Sequence, residues 1–330
     1  MFVAVVILLC LSGAARAAQD TQFGRYHALV IGNNEYQYLE NLNTAVNDAS
    51  VVADILRRDY GFEVKLLLNA NRYETVTALN DLRARLTPGD NLLIYYAGHG
   101  VLDPITDTGY WLPVDADISN DANWISNSTI TNHVAAIRAK HVLVIADSCY
   151  SGTLMRGTAA KLQIGAERHA WLERMAEKRS RTVLASGGLE PVEDAGGQGH
   201  SVFTRQLIEA LRDNRQVLDT QSLYDDIKQK VVLNADQTPH YDNIHKAGHD
   251  GGDFLFVPAN LNRSVTVDAP TPSDEISRSP GAGSAADIML WDAAEKLGTA
   301  KSFEDYLERF SEGLFVGQAK LRLETLEQIQ

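Results

Sequence analysis

The sequence predicts an α/β fold, with a mostly parallel central sheet flanked by helices and a small helical extension at the carboxyl end. Three observations carry this. Apolar runs rich in β-branched residues, such as 142–146, are too continuous for half-exposed strands and fit strands buried on both faces. Between such runs lie segments whose apolar residues recur at helical spacing. Strand and helix alternate from Arg25 to Asp147, the order that winds a parallel sheet through right-handed crossovers.

The elements follow in order. Residues 25–32 read as a strand ending at Gly32, and 33–36 as a polar loop. Ala45, Ala49, Val52, Ile55 and Leu56 mark a helix over 45–60, with Asn43 or Thr44 as its cap. Residues 61–68 are a strand. A helix over 72–86 carries Val76, Leu79, Leu82 and Leu86 on one face and is closed by Pro88-Gly89. The strand over 90–97 runs straight into Gly98-His99-Gly100. Residues 108–114 suit a strand of a surface hairpin, 128–137 a helix, and 141–147 a buried strand that stops in the polar cluster Asp147-Ser148-Cys149-Tyr150-Ser151-Gly152. After a basic, partly helical stretch come a strand over 181–186, a Gly-rich loop, and helices over 201–213 and 222–233. A last strand over 253–258 is ended by Pro258. Residues 260–286, dominated by Pro, Ser, Gly, Asp and Ala, read as a linker. Helices over 288–297, 303–310 and 318–329 form the extension, residues 287–330.

Bulk properties narrow the function. A chain of 330 residues can bury one substantial core and carry a smaller appendage, and its 45% hydrophobic and 22% charged content is that of an ordinary globular protein. The net charge of −13 argues against nucleic acid or an anionic membrane as partner. Residues 1–13 form an apolar run short for a membrane span, and Ala15-Arg16-Ala17 fits a small-x-small cleavage pattern. Residues 1–18 therefore read as a signal peptide, although no Lys or Arg precedes the apolar run; a retained anchor is the alternative. The expected protein is exported, periplasmic or secreted, and free of the membrane once the signal is removed. Of its two cysteines, Cys10 leaves with the signal and Cys149 stays alone, which excludes an intramolecular disulfide and a multi-cysteine metal site.

Cys149 sits at the carboxyl end of its strand, where open α/β sheets bind ligands. A buried cysteine is usually an inert small hydrophobe. A nucleophilic one needs a base, because at neutral pH only a few per cent of an ordinary thiol is thiolate. Among nine histidines, His99 alone ends its own buried strand on the same rim, and it is the candidate base; a backbone carbonyl can orient it. His27, His133, His141, His169 and His200 read as residues without a catalytic role. His240, His245 and His249 lie near Asp242 and Asp250 but lack a ligand spacing, so no metal site is expected. The backbone N–H groups of Gly100 and Cys149 are the candidate oxyanion hole of an acyl transfer.

Tyr96-Ala-Gly-His-Gly100, followed about fifty residues later by Asp147-Ser-Cys-Tyr-Ser-Gly152, resembles the caspase-like cysteine peptidases, and the Asp-Ser-Cys form resembles metacaspases and orthocaspases. The likeness runs from Arg25 to about Pro258 and includes Asn47-Asp48-Ala49, Leu184-Ala-Ser-Gly187 and Ser201-Val-Phe-Thr204. It implies a caspase-like three-layer sandwich over residues 19–259. It also implies a His99–Cys149 dyad acting through a thioester, and a first specificity pocket in which Asp48 and Asp147 bind a basic P1 side chain. Paired carboxylates in a partly desolvated pocket favour Arg or Lys and repel acids. Ala97 and Ala45 depart from the Ser and Cys that some relatives carry there. The chemistry needs no cofactor; calcium activation is common among relatives, but no calcium loop is identifiable in this sequence. The expected substrate is a peptide or protein with a basic P1 residue, the expected state a monomer. The basic stretch 156–181 lies where many relatives carry a processing loop, which implies self-cleavage within it, with Arg179 and Arg181 as candidate sites; a solvated basic helix is the alternative. The alternatives are a catalytically silent caspase-like scaffold and a related clan peptidase with non-basic P1 preference, of the legumain or gingipain kind.

Overall fold

Five strands form the parallel body of one sheet: β1 (Arg25–Gly32), β2 (Glu63–Leu68), β3 (Asp90–Ala97), β7 (His141–Asp147) and β8 (Ser180–Ala185). Strand β10 (His240–Asn243) pairs antiparallel with β8 and completes the spatial order β10-β8-β7-β3-β1-β2. The computed structural model describes residues 23–148, 168–187, 199–262, 290–291, 294, 299–311, 313 and 315–327. The expected signal peptide lies outside them.

The register aligns the carboxyl ends of the central strands. Gly32 is opposite Leu68 on one side and Ala97 on the other, and Ala97 is opposite Asp147. Every residue of β3 and β7 is buried, as continuous apolar runs covered on both faces require. One face of the sheet packs on α1 (Ala45–Arg58), α4 (Arg168–Glu177), α5 (Val202–Asp213) and α6 (Thr220–Val232), burying Val30, Tyr95 and Ile145 against Val52, Phe203 and Ile227. The other face packs on α2 (Arg72–Arg85) and α3 (Asn127–Ala136), burying Ile94, Tyr96 and Val144 against Leu79, Leu82, Ile130 and Val134. The result is a three-layer, mostly parallel α/β sandwich.

Several details depart from the sequence reading. The strand expected over 108–114 is β5 (Thr108–Trp111), and its partner is the unforeseen β4 (Gly100–Asp103), which starts directly after His99. With β6 (Ile125–Ser126) they form a small antiparallel sheet, pinned to the main one where Trp111 stacks on Tyr96 at 4.4 Å. The strand expected over 253–258 shortens to β11 (Leu255–Phe256) and pairs with β9 (Leu218–Asp219), outside the main sheet. The start of α1 differs from the expected side-chain cap. Thr44 is at the cap position without a side-chain capping bond, and Val46 N–H donates instead to Asn34 Oδ1 at 3.0 Å.

Contacts divide the chain into two units, 1–265 and 266–330. In the second, α7 (Ala300–Arg309) and α8 (Val316–Glu327) share a small core of Trp291, Phe303, Tyr306, Phe310 and Ala319. Trp291 stacks on Phe315 at 5.0 Å. Among the described residues no helix is long and apolar enough to cross a membrane.

Candidate active site

The rim where β3 and β7 end gathers the expected site residues. Gly98 N–H donates to Asp147 O at 3.4 Å, so the Gly98-His99-Gly100 turn leaves the sheet beside the end of β7. Cys149, two residues beyond Asp147 in the sequence, lies outside the described residues, and with it one of the two expected oxyanion donors. Gly98 has a steric reason to be glycine: a Cβ there would fall 2.8 Å from both the Tyr36 and the Tyr96 hydroxyl oxygens.

Those two tyrosines hold the turn. His99 N–H donates to the Tyr36 hydroxyl at 2.7 Å, and the Tyr96 hydroxyl lies 2.7 Å from His99 O. The imidazole packs on the Tyr36 ring, with centroids 4.6 Å apart, and its Nε2 is 2.8 Å from Glu40 O. A carbonyl oxygen only accepts, so Nε2 carries the proton and the neutral ring keeps its lone pair on Nδ1. The carbonyl belongs to the β1–α1 loop, which is braced by Leu42 N–H on Asn34 O and Tyr36 N–H on Asn41 Oδ1. Next in the chain, Leu112 N–H donates to His99 O at 3.0 Å, which marks 99 and 112 as the bonded pair of the β4–β5 ladder. Antiparallel ladders alternate, so the Gly100–Trp111 pair is non-bonded and the Gly100 N–H points away from β5.

Asp48 and Asp147 come together on the first turn of α5. Asp48 is 1% exposed; it accepts Ser201 N–H at 3.2 Å and faces His200 Nδ1 at 2.6 Å. Asp147, 5% exposed, receives the Ser201 hydroxyl at 2.5 Å and the Thr204 hydroxyl at 2.7 Å on Oδ2. Ser201 is also the N-cap of α5, accepting Thr204 N–H at 2.9 Å. Thr204 spends its one hydroxyl hydrogen on Asp147, so the Tyr95 hydroxyl, 2.6 Å away, is the donor to Thr204 Oγ1. Burial, and after it the charges of Asp48 and Asp147, push the Tyr95 phenol far above its ordinary pKa, which keeps that hydrogen in place. Both carboxylates therefore sit at the positive end of a helix, and Asp147 also ends a buried hydroxyl chain running from Tyr95 through Thr204. Sequence reading missed Tyr95, Thr204 and above all His200, which it set aside as a loop residue. The partners of His200 are about 150 residues distant in the chain, beyond the reach of local pattern.

Of the basic stretch expected to be self-cleaved, residues 156–167 lie outside the described residues; at Arg181 and Arg179 the expectation is corrected. Arg181 is fully buried in β8, and its guanidinium donates to the carbonyls of Val134, Ile137, Ala139, Lys140 and Ser180. Arg179 O accepts Asp250 N–H at 2.9 Å. A peptidase needs an extended, accessible segment, and this one is strand and helix-end backbone already paired. The strand context of Arg181 outweighs its basic neighbours. Of the three histidines clustered in the sequence, His240 and His245 are exposed, and His249 Nδ1 accepts Arg181 N–H at 3.2 Å. Among the described residues no group of three or more His, Cys, Asp or Glu could hold a metal ion.

Comparisons with known proteins agree with this architecture. The caspase domain of peptidase family C14 matches residues 25–247. Metacaspase-1A of Neurospora crassa is 25% identical over 201 residues, 55% of this chain and 43% of that protein, so the chain spans less than half the length of this curated relative. Among solved structures, caspase-1 of Spodoptera frugiperda shares the fold, with a TM-score of 0.50 at 16% identity over 69% of this chain and 91% of that one. A protein of Geobacter sulfurreducens aligns with a TM-score of 0.46 at 21% identity, over 66% and 92% of the two chains. Since the family match spans the whole six-stranded sheet from β1 to β10, the chain belongs to the caspase family and is related to the metacaspases.

Proposed function

We propose that the protein is a cysteine endopeptidase that hydrolyses peptide bonds after Arg or Lys, with Cys149 as nucleophile and His99 as its base. One observation supports this above others. The His99 ring is held through Nε2 by Glu40 O at the rim where β7 ends, two residues before Cys149 in the sequence. In that tautomer Nδ1 is the basic atom. It takes the thiol proton as sulfur attacks the scissile carbonyl carbon, and the carbonyl electron pair moves onto oxygen. The Gly100 N–H, which lies outside the β4–β5 ladder, is available to that oxyanion together with the N–H of Cys149. Collapse of the intermediate breaks the C–N bond, and the amine leaves with the proton carried by His99. A water molecule, deprotonated by His99, then cleaves the thioester and restores the thiol.

The two acids bonded to the α5 turn supply the specificity. A guanidinium or ammonium group reaching Asp48 and Asp147 would find two carboxylates in a largely buried setting, where charge-assisted hydrogen bonds are strongest. The chemistry calls on no cofactor from the chain, and the protein acts as an exported monomer on peptide or protein substrates. The test is hydrolysis of fluorogenic peptides ending in Arg, Lys, Asn or Asp, with and without calcium, by wild type, Cys149→Ala and His99→Ala. Turnover of the Arg and Lys peptides by wild type alone is expected. Equal background from all three proteins on every peptide would overturn the proposal in favour of a silent scaffold, and turnover confined to Asn or Asp peptides would overturn the specificity.

A further inference from the structure

Among the described residues, His200 is an ionisable side chain bonded directly to the carboxylate pair that the chemistry above does not use. Gly199, with φ +78°, turns the chain just before it, and Gly199 O accepts the Asn47 amide at 2.8 Å. This fixes the His200 ring over α1, with Nδ1 2.6 Å from Asp48 Oδ1 and the side chain 16% exposed. A carboxylate only accepts, so Nδ1 carries a proton, and the Asn47 amide, 3.3 Å from the same atom, gives its hydrogen to Gly199 O instead. The other ring nitrogen, Nε2, is then the one that titrates. When it is protonated, Asp48 faces an imidazolium, a cation donating N–H to a buried carboxylate. This is the same contact that a substrate guanidinium or ammonium would make.

Resting on the reading of Asp48 as part of a pocket for basic side chains, we propose that His200 is a specificity-determining residue. Its Nδ1–H occupies Asp48 as an internal donor that becomes a cation on acidification, and substrate must displace it. Only side chains that pair with Asp48 more strongly than an imidazole are then accepted, which favours Arg over Lys and excludes neutral residues. The groups around the ring are Asp48 and Asn47 from α1, Arg205 and Arg212 from α5, and Asp147 at the end of β7, joined through Ser201. Burial first, then the Arg212 and Arg205 charges, lower the His200 pKa. The ring is therefore neutral at pH 7.5 and yields Asp48 readily. Acidification charges it and tightens its hold, so competition with substrate grows as pH falls.

The experiment measures kcat and KM for Arg- and Lys-ending peptides between pH 5.5 and 8.5, using full-length wild type, His200→Gln, His200→Ala and Asp48→Asn. In wild type, KM for the Arg peptide should rise by clearly more than about twofold as pH falls from 8 to 5.5, as a neutral hydrogen bond becomes a charge-assisted one. In His200→Gln, whose amide keeps a donor near Asp48 but never charges, the rise should stay within about twofold. A merely structural histidine would instead lower Tm and kcat at every pH, with no effect on the KM profile. If wild type and His200→Gln give the same KM profile while Asp48→Asn abolishes Arg cleavage, the inference fails and the pocket stands. If Asp48→Asn cleaves the Arg peptide as wild type does, the pocket reading fails and the inference falls with it.

Discussion

Replacing Ser201 by alanine removes two interactions at once, and both can be given a magnitude. The hydroxyl oxygen caps α5 by accepting Thr204 N–H at 2.9 Å, and loss of a Ser N-cap costs about 1 kcal/mol. The hydroxyl hydrogen goes to Asp147 Oδ2 at 2.5 Å in a buried setting, where a hydrogen bond to a charged group contributes about 1.5–3 kcal/mol. Together these predict a loss of about 2.5–4 kcal/mol, and for a domain of this size a Tm lowered by about 5–15 °C. Thermal unfolding of wild type, Ser201→Ala, Asp147→Asn and the double variant forms a double-mutant cycle. Because the two residues share a bond, the cycle should show a coupling of about 1 kcal/mol or more. The Arg peptide should also report the change through a raised KM, since Asp147 loses a group that orients it. A Tm drop under about 2 °C with additive single effects would refute the assignment of the α5 turn as the support of the carboxylate pair.

Three further predictions rest on buried ionisable groups. Arg181→Leu leaves the carbonyls at the end of α3 and the start of β7 without their donor, and should destabilise the first unit by about 3–5 kcal/mol, read by urea unfolding. Mass spectrometry of the purified wild-type protein should find no cleavage after Arg181; a new terminus at Thr182 would contradict its burial. Asp253 accepts Tyr241 Oη at 2.5 Å, and burial, with the nearby Asp219 charge, raises its pKa to about 7. The folded state then holds a proton that the unfolded chain releases near pH 4, so this group's stabilisation is full at low pH and is lost as pH rises toward about 7. Tm measured from pH 4 to 8 should carry that downward contribution in wild type and lack it in Asp253→Asn; identical slopes would refute it.

The residues legible in the sequence are those whose signal is local. β1, β3 and β7 are unbroken apolar runs, and both His99 and Asp147 follow from where such runs stop. What local pattern cannot carry went unread. β10, His-Tyr-Asp-Asn, has no apolar alternation and becomes a strand because the open edge of β8 offers it a ladder. β4 is only four residues long and follows a glycine turn, so its partner β5 defines it. The contacts of His200, Ser201 and Thr204 with Asp48 and Asp147 span 54 to 153 positions of the chain. A histidine before a helix cap looks the same whether it meets solvent or a carboxylate. Arg181 escapes local pattern for a different reason: its neighbours in sequence are basic and polar, while the strand it belongs to takes it into the interior.

The aligned strand ends have a consequence for how such a protein can change over time. Leu68, Gly32, Ala97 and Asp147 stand abreast across the sheet, and the base turn and the acid pair are measured from that line. Inserting two residues in β3 or β7 would carry the following turn about 6.6 Å along the strand axis while keeping its facing. A one-residue change would reverse the facing outright. The sheet thus acts as a ruler with a step far coarser than any catalytic tolerance. Variation that preserves chemistry is confined to what hangs from the ruler: the β1–α1 loop that presents the Glu40 carbonyl and the turn that leads into α5. Those two segments are the places where members of such a lineage can diverge in substrate choice without rebuilding the fold.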